Sequence, residues 1–158
     1  MLDLQAIELI KRLKYNYCRS IDTCNTAMLR EVFAEDAKID YRGGTYRFEM
    51  AGRDGIVDAL ETAFHKDFIA SHTVHMPIID VDGDHATGKW TLVDYALNLA
   101  KNNETTVGAA HYDDEYVHRD GRWQILRSQY ERVYERVYHD ADPYLTAHML
   151  PDLHAARG

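Results

Sequence analysis

Residues 85–100 read His-Ala-Thr-Gly-Lys-Trp-Thr-Leu-Val-Asp-Tyr-Ala-Leu-Asn-Leu-Ala, and their alternation decides the fold class. Successive side chains of a strand point to opposite faces. Ala86, Gly88, Trp90, Leu92, Asp94 and Ala96 therefore share one face, and Thr87, Lys89, Thr91, Val93, Tyr95, Leu97 and Leu99 share the other. The same period of two predicts strands over 71–81, 106–119 and 122–138. The links Asp82-Gly83-Asp84, Lys101-Asn102-Asn103 and Asp120-Gly121 predict consecutive antiparallel pairing, the last being a two-residue hairpin signature.

Upstream the apolar residues recur every three or four positions. Leu4, Ile7, Ile10, Leu13, Tyr17 and Ile21 predict a helix over 3–21, broken at Asp22-Thr23-Cys24-Asn25. A second helix runs to residue 33 on Met28, Leu29, Val32 and Phe33. A hairpin of 37–42 with 45–50 turns at Gly43-Gly44, and a third helix covers 54–64 on Ile56, Val57, Leu60 and Phe64. Helices followed by a long antiparallel meander predict an α+β domain with the helices on one face of the sheet. One domain is expected over 1–140. Asp142-Pro143 opens a tail, 141–158, expected to form a short helix over a cavity or a subunit interface.

With 158 residues, 46% of them hydrophobic, the chain can build one core without a disulfide or metal staple. A balance of 18 Lys and Arg against 26 Asp and Glu, net −8, argues against nucleic acid as a partner. No apolar run approaches the ~18 residues of a membrane helix, so no membrane partner is expected. The start, Met-Leu-Asp-Leu-Gln, lacks the basic and apolar regions of a secretory signal, and a cytoplasmic domain is expected. Two cysteines make no disulfide framework, and both read as buried small hydrophobes. Eleven tyrosines suit an amphipathic pocket. The outward residues Val93, Tyr95, Leu97 and Leu99 form an apolar face, expected to be covered by another copy of the chain in a dimer or trimer.

No metal is expected. His72 and His75 are three apart on a strand and so point to opposite faces, and no second cluster supplies ligands. Asp80–Asp84 has its glycine misplaced for a calcium loop, and Thr91 stands where the twelfth-position Glu belongs, so it reads as a turn. His72 instead shares the inward face with Val74, Met76 and Ile78. Asp22 follows buried Ile21 at the helix end, and Asp94 lies inward beside Leu92. Two acids and an imidazole directed into an apolar interior cost free energy unless they pair or do chemistry, which marks a candidate site.

The segments Tyr-Cys-Arg-Ser-Ile-Asp (17–22), Leu-Arg-Glu-Val-Phe-Ala-Glu-Asp-Ala (29–37), Ile-Asp-Tyr-Arg (39–42), His-Thr-Val-His-Met-Pro (72–77), Asp-Gly-Asp-His-Ala-Thr-Gly-Lys-Trp (82–90) and Asp-Gly-Arg-Trp (120–123) together resemble the SnoaL-like branch of the nuclear-transport-factor-2-like (cystatin-like) fold. The resemblance implies a cone-shaped α+β barrel, with a curved antiparallel sheet wrapped around the N-terminal helices. Within that family the chain is similar to bile-acid 7α-dehydratase, scytalone dehydratase and hexachlorocyclohexane dehydrochlorinase, which eliminate a leaving group after proton abstraction by an Asp–His pair. Asp22 and His72 match that pair. Tyr17 and Asp94 match a tyrosine and second aspartate of the bile-acid enzyme, and Tyr41 matches a tyrosine that scytalone dehydratase uses through water. Ala96 stands where scytalone dehydratase has a second catalytic histidine, and Tyr112 where it has an asparagine; a scytalone substrate does not fit these departures.

The resemblance thus implies a cofactor-free dehydratase acting on a hydroxylated polycyclic ketone, steroid-like or polyketide-like. His72, Asp22, Tyr17 and Asp94 are its expected catalytic residues, and Tyr41, Trp90, Tyr112 and Met76 its expected substrate contacts. An isomerase or cyclase of the same fold is the first alternative. A non-catalytic small-molecule-binding or dioxygenase-β-like subunit is the second.

Overall fold

The computed structural model describes residues 1–156. Helix α1 (Leu4–Asp22) starts where the Asp3 carboxylate accepts from the Ala6 N–H, and α2 (Thr26–Val32) starts on the Asn25 side chain, which accepts from Met28 N–H. Both caps satisfy donors that the first helical turn leaves unpaired. Strands β1 (Phe33–Arg42) and β2 (Arg47–Ala51) form the small hairpin, followed by α3 (Arg53–Ala63). The meander is β3 (Phe68–Asp82), β4 (His85–Asn98), β5 (Glu104–Arg119) and β6 (Arg122–His139), with a 3-10 turn at Leu99–Lys101. At the β5–β6 link Asp120 and Gly121 both take positive φ, 53° and 77°, the backbone a tight two-residue hairpin demands.

The six strands are ordered β2-β1-β6-β5-β4-β3. Every pair is antiparallel except β1–β6, which is parallel, so the sheet is mixed rather than wholly antiparallel as the meander suggested. Helix α1 packs against β3 and β6, and α3 against β1. Their apolar faces (Ile10, Ile21, Ile56, Leu60) close on inward residues such as Ile39, Leu92 and Ile125. Register shifts in β3 and at two places between β5 and β6 insert bulges, which bend a sheet and raise its twist.

Three sequence expectations need correction here. The buried stripe of α1 runs through Ala6, Ile10, Lys14, Tyr17, Cys18 and Ile21, while Leu4 is exposed. Met76 is 68% exposed with φ 52°, because the chain bulges between His75 and Ile78. Pro77 has no N–H to give the ladder, and after the bulge the phase inverts, leaving Ile78 outside and Ile79 buried. Leu97 is only 1% exposed within the chain itself, so it needs no second copy to cover it; Val93 and Tyr95 remain exposed. In the tail the short helix α4 (Leu150–Ala155) forms and Leu150 is buried; none of the described residues after 140 lines the cavity, which leaves the subunit interface as the expected place of the tail.

Among the described residues no helix is long and apolar enough to cross a membrane.

Candidate active site

The end of α1 and the inward faces of β1 and β3–β6 enclose a cavity of about 530 Å³, within the 300–1,000 Å³ usual for small-molecule sites. Eight aromatic rings, those of Tyr17, Tyr41, Tyr46, Phe48, Phe64, Phe68, Tyr112 and Tyr130, line its wall.

His72 lies in that wall. Its Nδ1 is 2.6 Å from Asp22 Oδ1, and its backbone N–H donates to Asp22 Oδ2 at 3.0 Å. One carboxylate at the C-terminus of α1 thus grips both the ring and the main chain of a residue on β3. An ionised carboxylate only accepts, so Nδ1 carries the hydrogen and Nε2 the lone pair. The edge of Phe64 packs on the imidazole, with centroids 5.8 Å apart.

Asp94 is His72's directly paired neighbour across the β3–β4 ladder. Both its oxygens are held by Arg132 on β6, Nη1 on Oδ1 and Nη2 on Oδ2 at 2.8 Å. Arg132 reaches across β5 only because Gly108 lies between: a Cβ there would stand 2.9 Å from Nη1 and 2.7 Å from the Tyr134 carbonyl. Burial alone would weaken the protonated guanidinium, but hydrogen bonds and charge from Asp94 hold its pKa above the usual range. Arg132 Nε donates to Tyr46 OH at 3.2 Å, and Tyr46 shares a short hydrogen bond with Tyr130. Arg132 was not among the sequence candidates.

Tyr17 and Tyr41 meet hydroxyl to hydroxyl at 2.7 Å on the cavity floor, with Tyr41 stacked on Tyr130 at 4.6 Å. Burial raises the pKa of Tyr17, Tyr41, Tyr46, Tyr112, Tyr116 and Tyr130. They are therefore neutral hydrogen-bond donors throughout the physiological range. Raised phenol pKa values mean the folded state holds these protons longer than the unfolded one, so stability falls as pH climbs above ~10. Stepwise titration followed near 295 nm should stop short of full ionisation of the 11 tyrosines until the chain unfolds. Complete titration with the far-ultraviolet signal intact would contradict this.

Of the expected substrate contacts, Tyr41 and Tyr112 line the cavity, whereas Met76 and Trp90 do not. Trp90 does point inward, but it lies deeper, donating to Tyr116 OH at 2.9 Å beneath Tyr15. Burial pushes the Cys18 thiol up to about 12, which makes it a poor nucleophile at neutral pH. Among the described residues no cluster of His, Cys, Asp and Glu is arranged to hold a metal ion.

The profile of the SnoaL-like domain matches residues 3–129. Among solved structures, a protein of Novosphingobium aromaticivorans DSM 12444 provisionally named a scytalone dehydratase is 23% identical, with 92% of this chain and 97% of that one covered at a TM-score of 0.75. A hexachlorocyclohexane dehydrochlorinase of Novosphingobium barchaimii LL02 is 19% identical, with 89% and 97% covered at 0.73. An NTF2-like protein with a cystatin-like fold from N. aromaticivorans is 18% identical, with 82% and 83% covered at 0.68. At these identities the likeness concerns the fold, the α+β cone of the NTF2-like type.

Proposed function

The chain belongs to the SnoaL-like domain family, and on that premise we propose that it is a dehydratase, a lyase that removes water from a hydroxylated polycyclic ketone of steroid-like or polyketide-like form. The observation that supports this reading is the 2.6 Å contact of Asp22 with His72 Nδ1 in the wall of an aromatic cavity.

His72 Nε2 takes the proton from the carbon next to the ketone, and Asp22 stabilises the imidazolium that forms. The C–H electron pair becomes first the enolate and then the new C=C bond as the C–O bond breaks. The departing hydroxide takes the same proton back from His72 and leaves as water. Atoms and electrons balance with no cofactor. The Tyr17–Tyr41 pair holds two hydroxyl protons and uses one between them. The other is donated to the developing enolate oxygen, the group whose stabilisation matters most to such a barrier. Asp94, with both oxygens on Arg132, fixes that side chain and shapes the wall beside the dyad.

The test is a panel of hydroxylated steroid, decalin and polyketide ketones, read by absorbance of the new conjugated enone. Loss of water from at least one member is expected. Proton exchange or double-bond migration without loss of water would replace the lyase with an isomerase. Tight binding without chemistry would leave a binding module.

The chain is also proposed to self-associate through the outer face of the sheet. Val93 and Tyr134 lie on one rung across Ala109, and both are exposed next to Tyr95. Such contiguous apolar surface is characteristic of an interface. Light scattering at micromolar concentration should give a multiple of 18.3 kDa; a single 18.3 kDa species would contradict it.

A further inference from the structure

The buried charge around the cavity is unbalanced. Arg132 is the one cation in its wall that is shielded from solvent among the described residues, at 8% side-chain exposure. Arg47 and Lys101 are more than half exposed at the rim, where Arg47 meets Asp40 and Glu49, and Lys101 meets Glu104. Against Arg132 stand two carboxylates as deeply buried, Asp94 at 5% and Glu135 at 6%. Asp94 occupies both outer nitrogens of the guanidinium, and Tyr46 takes Nε. The fork that would clamp a substrate carboxylate is therefore filled from within.

Glu135 adds a charge that this pairing does not cancel. Its Oε1 accepts from Thr45 at 2.9 Å. Its Oε2 is buried with no hydrogen-bond donor among the described residues and lies 3.6 Å from Arg132 Nε. Behind His72, Asp22 is a further anion. A buried carboxylate left short of donors costs stability, a cost that function can explain.

We propose that Asp94 and Glu135 act as a charge filter: the cavity admits uncharged or cationic polycyclic ligands and rejects those that carry a carboxylate into it. The inference deepens the dehydratase reading, since it assigns the substrate's charge class, but it can be tested without turnover. Three probes share one two-ring body: 2-naphthalenemethanol, (2-naphthyl)methylammonium and 2-naphthoate. Binding is measured by calorimetry on the whole chain at pH 7 and low salt.

The alcohol and the ammonium should bind. The carboxylate should bind roughly 100-fold more weakly than the alcohol, the size expected of one like charge several Å away in a partly desolvated site. Glu135→Gln should narrow that gap by about tenfold and leave the alcohol nearly unchanged. Equal or tighter binding of naphthoate, rejection of the ammonium, no binding of the alcohol, or an unchanged gap in the folded variant each overturns the proposal. The ranking of probes on the unaltered chain decides the matter even if Glu135→Gln does not fold. If the ranking holds while no ketone loses water, the dehydratase reading falls and the filter stands.

Discussion

Replacing His72 by alanine is expected to lower elimination by about 10²–10⁴-fold, the usual contribution of a positioned general base, with folding and ligand affinity little changed. The loss should fall on kcat, because the imidazole takes its proton only as the transition state is reached. Asp22→Asn separates orientation from charge at the same site. The amide oxygen can keep the bond from the His72 backbone N–H, now 3.0 Å long. That leaves the amide NH₂ facing Nδ1, a donor where an acceptor stood. Nδ1 must then accept, the hydrogen moves to Nε2, and the nitrogen facing the substrate is no longer a base. In a Ser-His-Asp triad the same exchange costs about 10⁴-fold through the wrong tautomer, and a similar loss is expected here. His75→Ala should be mild, since His75 lies outside the cavity wall. An active His72→Ala, or an Asp22→Asn within tenfold of the parent, would remove the dyad from the mechanism.

Local pattern carried the elements well, because each rests on neighbours in sequence. The change of period at β3 and the positive-φ Asp120-Gly121 turn are both local. The parallel β1–β6 pair is not: Ile39 meets Ser128 there, and no hairpin rule joins strands so distant in sequence. Alternation assigned the inward faces of His72 and Asp94, yet counting failed where a residue was inserted. At Met76-Pro77 the bulge reversed the phase. On β6 the same thing hid the Arg132–Glu135 cluster.

The run Tyr130-Glu131-Arg132-Val133-Tyr134-Glu135-Arg136-Val137 repeats every four residues, and strict alternation would put Tyr134 and Arg136 inward with Arg132. A bulge opposite Ala109 and Ala110 turns Glu135 and Val137 inward instead. The available signal was Arg132 in phase with Tyr130, two strands from an inward aspartate, with a glycine on the strand between. Trp90 shows a different limit. Its face follows from alternation, but whether an inward residue reaches the cavity or the packed end of the cone depends on which helix covers that rung.

The largest stability effect should come from a residue that the helix pattern passed over. Lys14 sits in the buried stripe of α1, its side chain 0% exposed, with Nζ 2.7 Å from the equally buried Asp114. Asp114 also accepts from Tyr116 OH at 2.8 Å and Ser128 Oγ at 2.7 Å, and the ammonium stands 3.3 Å from the centre of the Tyr112 ring. Every partner of the pair is thus fixed by the fold, and water has no access to replace one. Lys14→Met fits the same space but leaves the carboxylate buried with two hydroxyl donors and no counter-charge. A cost of about 3–5 kcal/mol is expected. For a chain of this size that lowers Tm by roughly 6–20 °C. Asp114→Asn alone strands the ammonium above Tyr112 and should cost a comparable amount. The double variant Lys14→Met/Asp114→Asn removes both charges while the amide oxygen can still accept a hydroxyl proton, so it should recover most of the loss. Urea unfolding of the four proteins measures the coupling directly. Additive single effects, or a Lys14→Met cost below about 1 kcal/mol, would mean that the pair is solvated in solution and does not brace the floor on which Tyr112, Tyr17 and Tyr41 meet.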